Sequence, residues 1–114
     1  HNALFAAKAP LYSPYQTLTG STTLSAAHFG SYLMAASAGA ITITLPAATS
    51  EMSGAEMELH NLGAGDVTLT GALRYGSAAN ASASVILSEG DAVTLKCVGT
   101  GAGAWTVIGA YQEA

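Results

Sequence analysis

The sequence predicts an all-β fold, a compact antiparallel sandwich or barrel of about seven or eight short strands with an extended N-terminal arm. Apolar and polar residues alternate in several short runs, most regularly over residues 41–45. Runs rich in glycine, serine, asparagine and aspartate separate these segments at spacings of roughly ten residues. No segment shows the long apolar period of an amphipathic helix.

Residues 1–20 are predicted to form an arm or linker, and residues 21–114 the all-β domain. The arm has no steady apolar period, and its prolines favour extended backbone in the residues that precede them. It carries one charged residue, Lys8, although disordered segments are normally much richer in charge. We therefore expect its large apolar side chains to contact another protein surface. These candidate anchors are Phe5, Leu11, Tyr12 and Tyr15.

The first half of the domain is predicted to alternate short strands with tight turns. Ser25 and Gly30 are typical start and stop residues of a single helical turn. Pro46 ends the regular alternation before it, because proline has no N–H to donate to a strand ladder. Strands are predicted at residues 22–24, 31–36 and 41–45.

The second half begins with two alternating runs joined by a turn at residues 63–66, which predicts antiparallel β-structure at the centre of the domain. Residues 72–84 are rich in small residues and are predicted to be a loop. The glycine-rich residues 99–104 predict a hairpin turn. Strands are predicted at residues 56–60, 67–70, 85–87, 93–98 and 105–108.

The alternation also assigns side chains to the core. Residues on the apolar phase of each strand point to the same face, so they are expected to be buried together. Trp105 begins the closing strand and is expected to pack in the core or between subunits. The candidate packing residues are Leu45, Leu59, Leu69, Val93, Leu95 and Trp105.

Charge is unusually sparse, at 9% of residues, with a net charge of −4. Either much of the surface is buried against other subunits, or it is a neutral serine, threonine and glycine surface. The basic residues Lys8, Arg74 and Lys96 are scattered, which argues against nucleic-acid binding. No apolar run is long enough to predict membrane insertion. The start at His1 is expected to be a processed, trimmed or tag-derived end.

The order of short motifs over residues 20–110 resembles a small all-β domain of tailed-phage fibres and other virion appendages. The resemblance implies a homotrimeric structural protein at the particle surface, a fibre domain or capsid decoration, without catalysis or a cofactor. It also implies contact with a host cell surface, including its glycans. The alanine-rich loops leave open whether the chain is a fibre tip or a capsid-surface protein. The matching residues are 23–25, Gly30, 41–46, Gly54, 61–63, 67–69, 87–90, 93–95 and Trp105.

Motifs with possible chemistry are few. Gly99 and Gly101 imitate part of a dinucleotide-binding fingerprint, but that motif requires a following helix and a strand is predicted instead. One face of the strand at residues 56–60 presents two carboxylates and His60, which a solvated polar face explains without a metal. No nucleophile motif is present, and we predict no catalytic residues, no metal and no cofactor. Arg74 and Tyr75 are the candidate surface recognition residues, against the alternative of a salt-bridged surface loop.

Three classes of function remain open at this stage. The first is a homotrimeric virion protein that attaches to another virion protein through its N-terminal arm. The second is a carbohydrate-binding β-sandwich module, which would favour several exposed aromatic residues, whereas this chain has one tryptophan. The third is an enzyme or the accessory domain of one. A mass measurement in solution separates the first class from the others.

Overall fold

The computed structural model describes residues 14–114, which form two β-sheets and two single-turn 3₁₀ helices. The helices span Ala26–His28 and Ser50–Met52. Twelve strands are present in this range. They are β1 Tyr15–Leu18, β2 Thr22–Thr23, β3 Tyr32–Ala35, β4 Ile41–Thr44, β5 Glu56–Asn61, β6 Val67–Gly71, β7 Leu73–Tyr75, β8 Ala78–Ala79, β9 Ala83–Leu87, β10 Ala92–Cys97, β11 Trp105–Gly109 and β12 Gln112–Glu113.

The two sheets have seven and five strands. The larger has the order β1-β3-β5-β10-β11-β7-β8, and the smaller has the order β12-β9-β6-β4-β2. Parallel pairs join β1 to β3, β3 to β5 and β7 to β11 in the larger sheet. Parallel pairs also join β2, β4 and β6 in the smaller sheet, while the other pairs are antiparallel. Both sheets are therefore mixed.

The core lies between the inner faces of the two sheets. Along β4, β5, β6 and β10, buried and more exposed residues alternate, so each strand contributes every second side chain to the interior. These side chains form one apolar cluster that includes residues of both sheets. All six candidate packing residues belong to it, with exposed fractions of 5% or less. They are Leu45, Leu59, Leu69, Val93, Leu95 and Trp105.

The all-β prediction is confirmed, but the central strands are not an antiparallel unit. After β4 the chain crosses to the larger sheet to form β5, and it then returns to the smaller sheet as β6. Two reversals leave β4 and β6 running in the same direction, and they pair in parallel with Ile41 opposite Val67. Period-2 alternation identifies a strand and its inner face, but it does not identify the sheet that the strand joins.

The prediction that residues 1–20 lie outside the sheets is wrong over β1. Tyr15–Leu18 forms the edge strand of the larger sheet and pairs in parallel with β3. Of its four residues only Leu18 is buried, so the strand carries too little alternation to be recognised in the sequence. Residues 1–13, including the candidate anchors Phe5, Leu11 and Tyr12, lie outside the described residues.

The predicted loop at residues 72–84 is also corrected, because it contains β7 and β8 as well as the start of β9. β7 continues the larger sheet beside β11, with Leu73 opposite Trp105. Leu73 is the one fully buried residue of this strand. A single apolar residue among small and polar neighbours does not produce a readable period.

Two local predictions are confirmed. Ser25 caps the first 3₁₀ helix by accepting the amide N–H of Ala27, and the imidazole of His28 accepts the amide N–H of Ser25. Gly30 follows with a φ of +79°, a left-handed conformation that favours glycine. Residues 99–104 connect the antiparallel strands β10 and β11, as expected of a hairpin. Within residues 14–114, no helix has the length and hydrophobicity needed to cross a membrane.

Candidate functional site

Arg74 and Tyr75 do not form a loop-tip recognition pair. They are successive residues of β7, and successive side chains of a strand point to opposite faces of its sheet. Tyr75 packs against the core and meets Tyr111 edge to face, with ring centroids 5.9 Å apart. Arg74 lies in register with Thr106 on the outer face. Both side chains are half-buried, so the structure does not bring them together on one exposed patch.

The outer face of the larger sheet carries most of the charged and aromatic groups on the strands. A row of register partners runs across it from Tyr15 on β1 through Tyr32 and Glu58 to Thr94 and Ile108 on β11. Tyr15 and Ile108 are 69% and 61% exposed. The predicted anchor Tyr15 therefore belongs to a sheet surface, where it is the register partner of Tyr32.

A depression of about 310 Å³ opens on this face. Its lining includes Gly30 and Tyr32 on one side and Glu56, Glu58 and Thr94 on the other. A Cβ atom at Gly30 would meet nothing within 4 Å, so the missing side chain leaves this side of the depression open. The cavity therefore arises where a glycine turn enters β3 beside two carboxylate-bearing positions of β5.

Hydrogen bonds and charge hold several of these groups in place. The Tyr32 hydroxyl lies 2.6 Å from Nδ1 of His60, which fixes the phenol ring on the sheet. The Lys96 ammonium lies 3.1 Å from a Glu56 carboxylate oxygen, and both side chains are about half exposed. Within residues 14–114, no hydrogen bond or ion pair involves the Glu58 carboxylate. Among the described residues, the site thus offers one fixed aromatic ring and one carboxylate without a hydrogen-bonding partner.

This face does not form a metal site from the groups that the structure describes. Glu56, Glu58 and His60 lie along one strand face, as the alternation predicted. Across residues 14–114, however, no three His, Cys, Asp or Glu side chains are grouped as metal ligands. Neighbouring positions on one strand face are about 7 Å apart, which is too far for one ion to be held without converging side chains.

The outer face of the smaller sheet is chemically different. The outward positions of β2, β4, β6 and β9 are occupied by uncharged residues, and the exposed Glu113 lies on the edge strand β12, in register with the inward-facing Val85. Threonines of β4 and β6 are register partners, with Thr42 beside Thr68 and Thr44 beside Thr70. Ser84 and Ile86 continue the same rows on β9. The face is a neutral surface of short side chains, in contrast to the larger sheet.

The sequence analysis assigned no side-chain role to Asn61, which is fully buried and links the β5–β6 turn to the end of β9. Its amide nitrogen donates to the carbonyl oxygens of Gly65 and Leu87, each at 2.9 Å. Its amide oxygen accepts the N–H of Gly63 at 3.0 Å. The sequence does contain a signal for this role: Asn61 is a polar residue at an inward-facing strand position, and a buried polar side chain requires hydrogen-bonding partners.

Trp105 joins the two sheets by a similar bond. Its indole N–H donates to the carbonyl oxygen of Pro46 at 3.0 Å, and its ring lies against Phe29 with centroids 5.8 Å apart. The chain between Leu45 and the second 3₁₀ helix is therefore tied to the closing strand. Trp105 is fully buried within a single chain, which places it in the core.

Comparisons with known proteins do not identify a family. No protein-family model matches this chain, and a search of curated proteins finds no significant match.

Proposed function

We propose that this chain is a non-enzymatic structural protein of a virion surface, a fibre domain or capsid decoration that assembles as a homotrimer. The proposal joins the motif resemblance to one structural observation, the uncharged outer face of the smaller sheet. The all-β architecture that the resemblance implies agrees with the described fold. The sparse charge of the chain is also consistent with burial of a large surface between subunits.

Symmetry explains why the neutral face supports assembly. Around a closed rotation axis the same patch of each subunit recurs, so a charged residue near the axis meets identical charges. Like charges that lose water repel each other strongly. The outer face of the smaller sheet avoids this repulsion, whereas the larger sheet presents Glu56, Glu58, Lys96 and Arg74. The smaller sheet is therefore the face that we place toward the three-fold axis.

Attachment to the particle is assigned to the N-terminal arm. Residues 1–13 contain Phe5, Leu11 and Tyr12, which are the remaining candidate anchors for another virion protein. Tyr15 is removed from this set because it belongs to β1. Deletion of residues 1–13 spares β1 and should leave an assembled domain that no longer attaches to its particle. Unchanged attachment of this truncated chain would contradict the assignment.

The assembly is tested by placing one charge on each outer face. Thr68→Lys puts an ammonium group at the centre of the smaller sheet, and Thr94→Lys puts one at a matched, half-buried threonine of the larger sheet. Thr94 lies opposite Glu58, so a lysine there has a partner of opposite charge. We expect Thr68→Lys to yield folded monomers by sedimentation and circular dichroism, and Thr94→Lys to remain trimeric.

The reverse result would place the larger sheet at the axis. Trimers in both variants would show that neither face forms the subunit contact. Because both substitutions exchange threonine for lysine on a central strand, a difference in assembly between them reports the position of the charge and not a general effect of lysine.

A further inference from the structure

The depression on the larger sheet lies on the face that the proposed assembly leaves exposed. We propose that it binds an uncharged pyranose ring of a surface glycan, with Tyr32 and Glu58 as its main contacts. The inference rests on the proposed function for its biological setting, because a projecting virion domain meets host glycans. Its chemical argument rests on the described side chains alone.

Tyr32 supplies the aromatic side of the depression, and Tyr15 lies beside it on the edge strand β1, outside the lining. Tyr15 and Tyr32 are register partners of the parallel pair β1–β3, so their rings leave the same face about 4.8 Å apart at the backbone. Tyr15 is 69% exposed on the edge strand, so its ring extends the apolar surface next to Tyr32. The apolar C–H face of a pyranose ring packs well on such rings, and tyrosine supplies this contact area at a small cost in side-chain entropy.

The polar part of the site lies on β5 and β10, beside Tyr32. Within residues 14–114 the Glu58 carboxylate accepts no hydrogen bond, and Thr94 lies opposite it in register. Adjacent sugar hydroxyls can donate to one carboxylate, and hydrogen bonds to a charged acceptor are the strong class. Tyr32 does not compete for this carboxylate, because its own hydroxyl is engaged by His60 at 2.6 Å.

Charge selects among sugars. Glu56 and Glu58 both line the depression, and Lys96 compensates one of them through its 3.1 Å contact with Glu56. The remaining negative charge would repel a carboxylate, sulfate or phosphate on a ligand. Acidic sugars are therefore excluded, and neutral hexoses are favoured.

The volume of the depression and its repetition in a trimer both suit a glycan ligand. A volume of about 310 Å³ lies at the lower end of the range for small-molecule sites, roughly 300–1,000 Å³, and suits one or two sugar rings. The open side at Gly30 leaves room for a glycan chain to continue. An open site binds weakly, with an expected Kd on the order of 1 mM. A trimer would carry three copies, which act together on a multivalent surface.

The test uses the full chain and four probes: the methyl glycosides of glucose, galactose and mannose, and the methyl glycoside of glucuronic acid. Saturation-transfer NMR gives binding, and amide shifts of Tyr32, Glu58 and Thr94 give location. At least one neutral glycoside should bind, and the glucuronide, which differs from the glucoside by one carboxylate, should bind about tenfold more weakly. Tyr32→Ala and Glu58→Gln should each weaken binding about tenfold.

Glu113→Gln is the matched control, because Glu113 is an exposed carboxylate on β12 of the smaller sheet. It should bind as the unaltered chain does. Glu58→Gln keeps the shape of the side chain, so it tests the site even if Tyr32→Ala impairs folding. The proposal is overturned if no neutral glycoside binds, if the glucuronide binds equally well, or if Glu58→Gln binds unchanged.

The outcome is separable from that of the proposed assembly. A monomer that binds a neutral glycoside at these residues refutes the trimer and keeps the site. A trimer that binds none of the three neutral glycosides keeps the assembly and refutes the site.

Discussion

Replacement of Asn61 by alanine should be among the most destabilising single changes in the chain. The side chain is fully buried and makes three hydrogen bonds, two as donor and one as acceptor. Alanine leaves the Leu87 carbonyl without this partner in the core, at a cost of about 1–3 kcal/mol. Gly63 and Gly65 are only half-buried, so each of their lost bonds should cost about 0.5–1.5 kcal/mol.

The summed loss is about 2–6 kcal/mol, a large part of the roughly 5–15 kcal/mol that stabilises a typical domain. It corresponds to a fall in Tm of about 8 °C or more for a domain of this size. Urea unfolding followed by circular dichroism measures it, at one fixed protein concentration, because an oligomer gains stability with concentration.

Two variants make the test specific. Asn80→Ala removes a single half-buried hydrogen bond, from the side-chain amide of Asn80 to the Leu73 carbonyl at 3.2 Å. It should lower the free energy of unfolding by about 0.5–1.5 kcal/mol. Asn61→Asp keeps the acceptor but turns a carboxylate toward two carbonyl oxygens, so it should destabilise at least as much as alanine. A loss below about 1 kcal/mol in Asn61→Ala would refute the reasoning.

Three further predictions concern packing. Leu95→Ala should lower the free energy of unfolding by about 2–5 kcal/mol in urea titrations, because Leu95 is fully buried; a loss under about 1 kcal/mol would contradict its placement. Gly65→Ala should lower the free energy of unfolding by about 2 kcal/mol, because its Cβ would collide with the backbone of Gly39. Gly99→Ala, which has open space around the added Cβ, should leave the Tm nearly unchanged. Equal losses of stability in the two variants would contradict the contact with Gly39. Trp105→Phe should lower the free energy of unfolding by about 2–4 kcal/mol, because the smaller ring fills less of the core and cannot donate to the Pro46 carbonyl. An unchanged Tm in calorimetry would contradict this prediction.

Strands with strong alternation were predictable from the sequence. In β4, β5 and β10 each inward position is apolar except Asn61, so both the strand and its buried face can be read directly. The same is true of the turn capped by Ser25, since capping depends on residues three positions apart. These features depend only on residues that are close in the sequence, so the sequence pattern is sufficient to predict them.

Pairing and surface geometry were not predictable from local pattern. Whether β4 meets β6 in parallel depends on where β5 docks, which is a property of the whole core. β1 and β7 have one fully or largely buried apolar residue each, Leu18 and Leu73, too few to show a period. The depression combines Gly30 with Glu58, which are 28 positions apart and adjoin only because β3 pairs with β5.

The mass of the unaltered chain in solution tests the central proposal most directly. Multi-angle light scattering at micromolar concentration should give about three times the 11.3 kDa of one chain. The value should persist in high salt, because the proposed contact surface, the outer face of β2, β4, β6 and β9, carries no charged residue. A stable species of 11.3 kDa would contradict the proposed assembly.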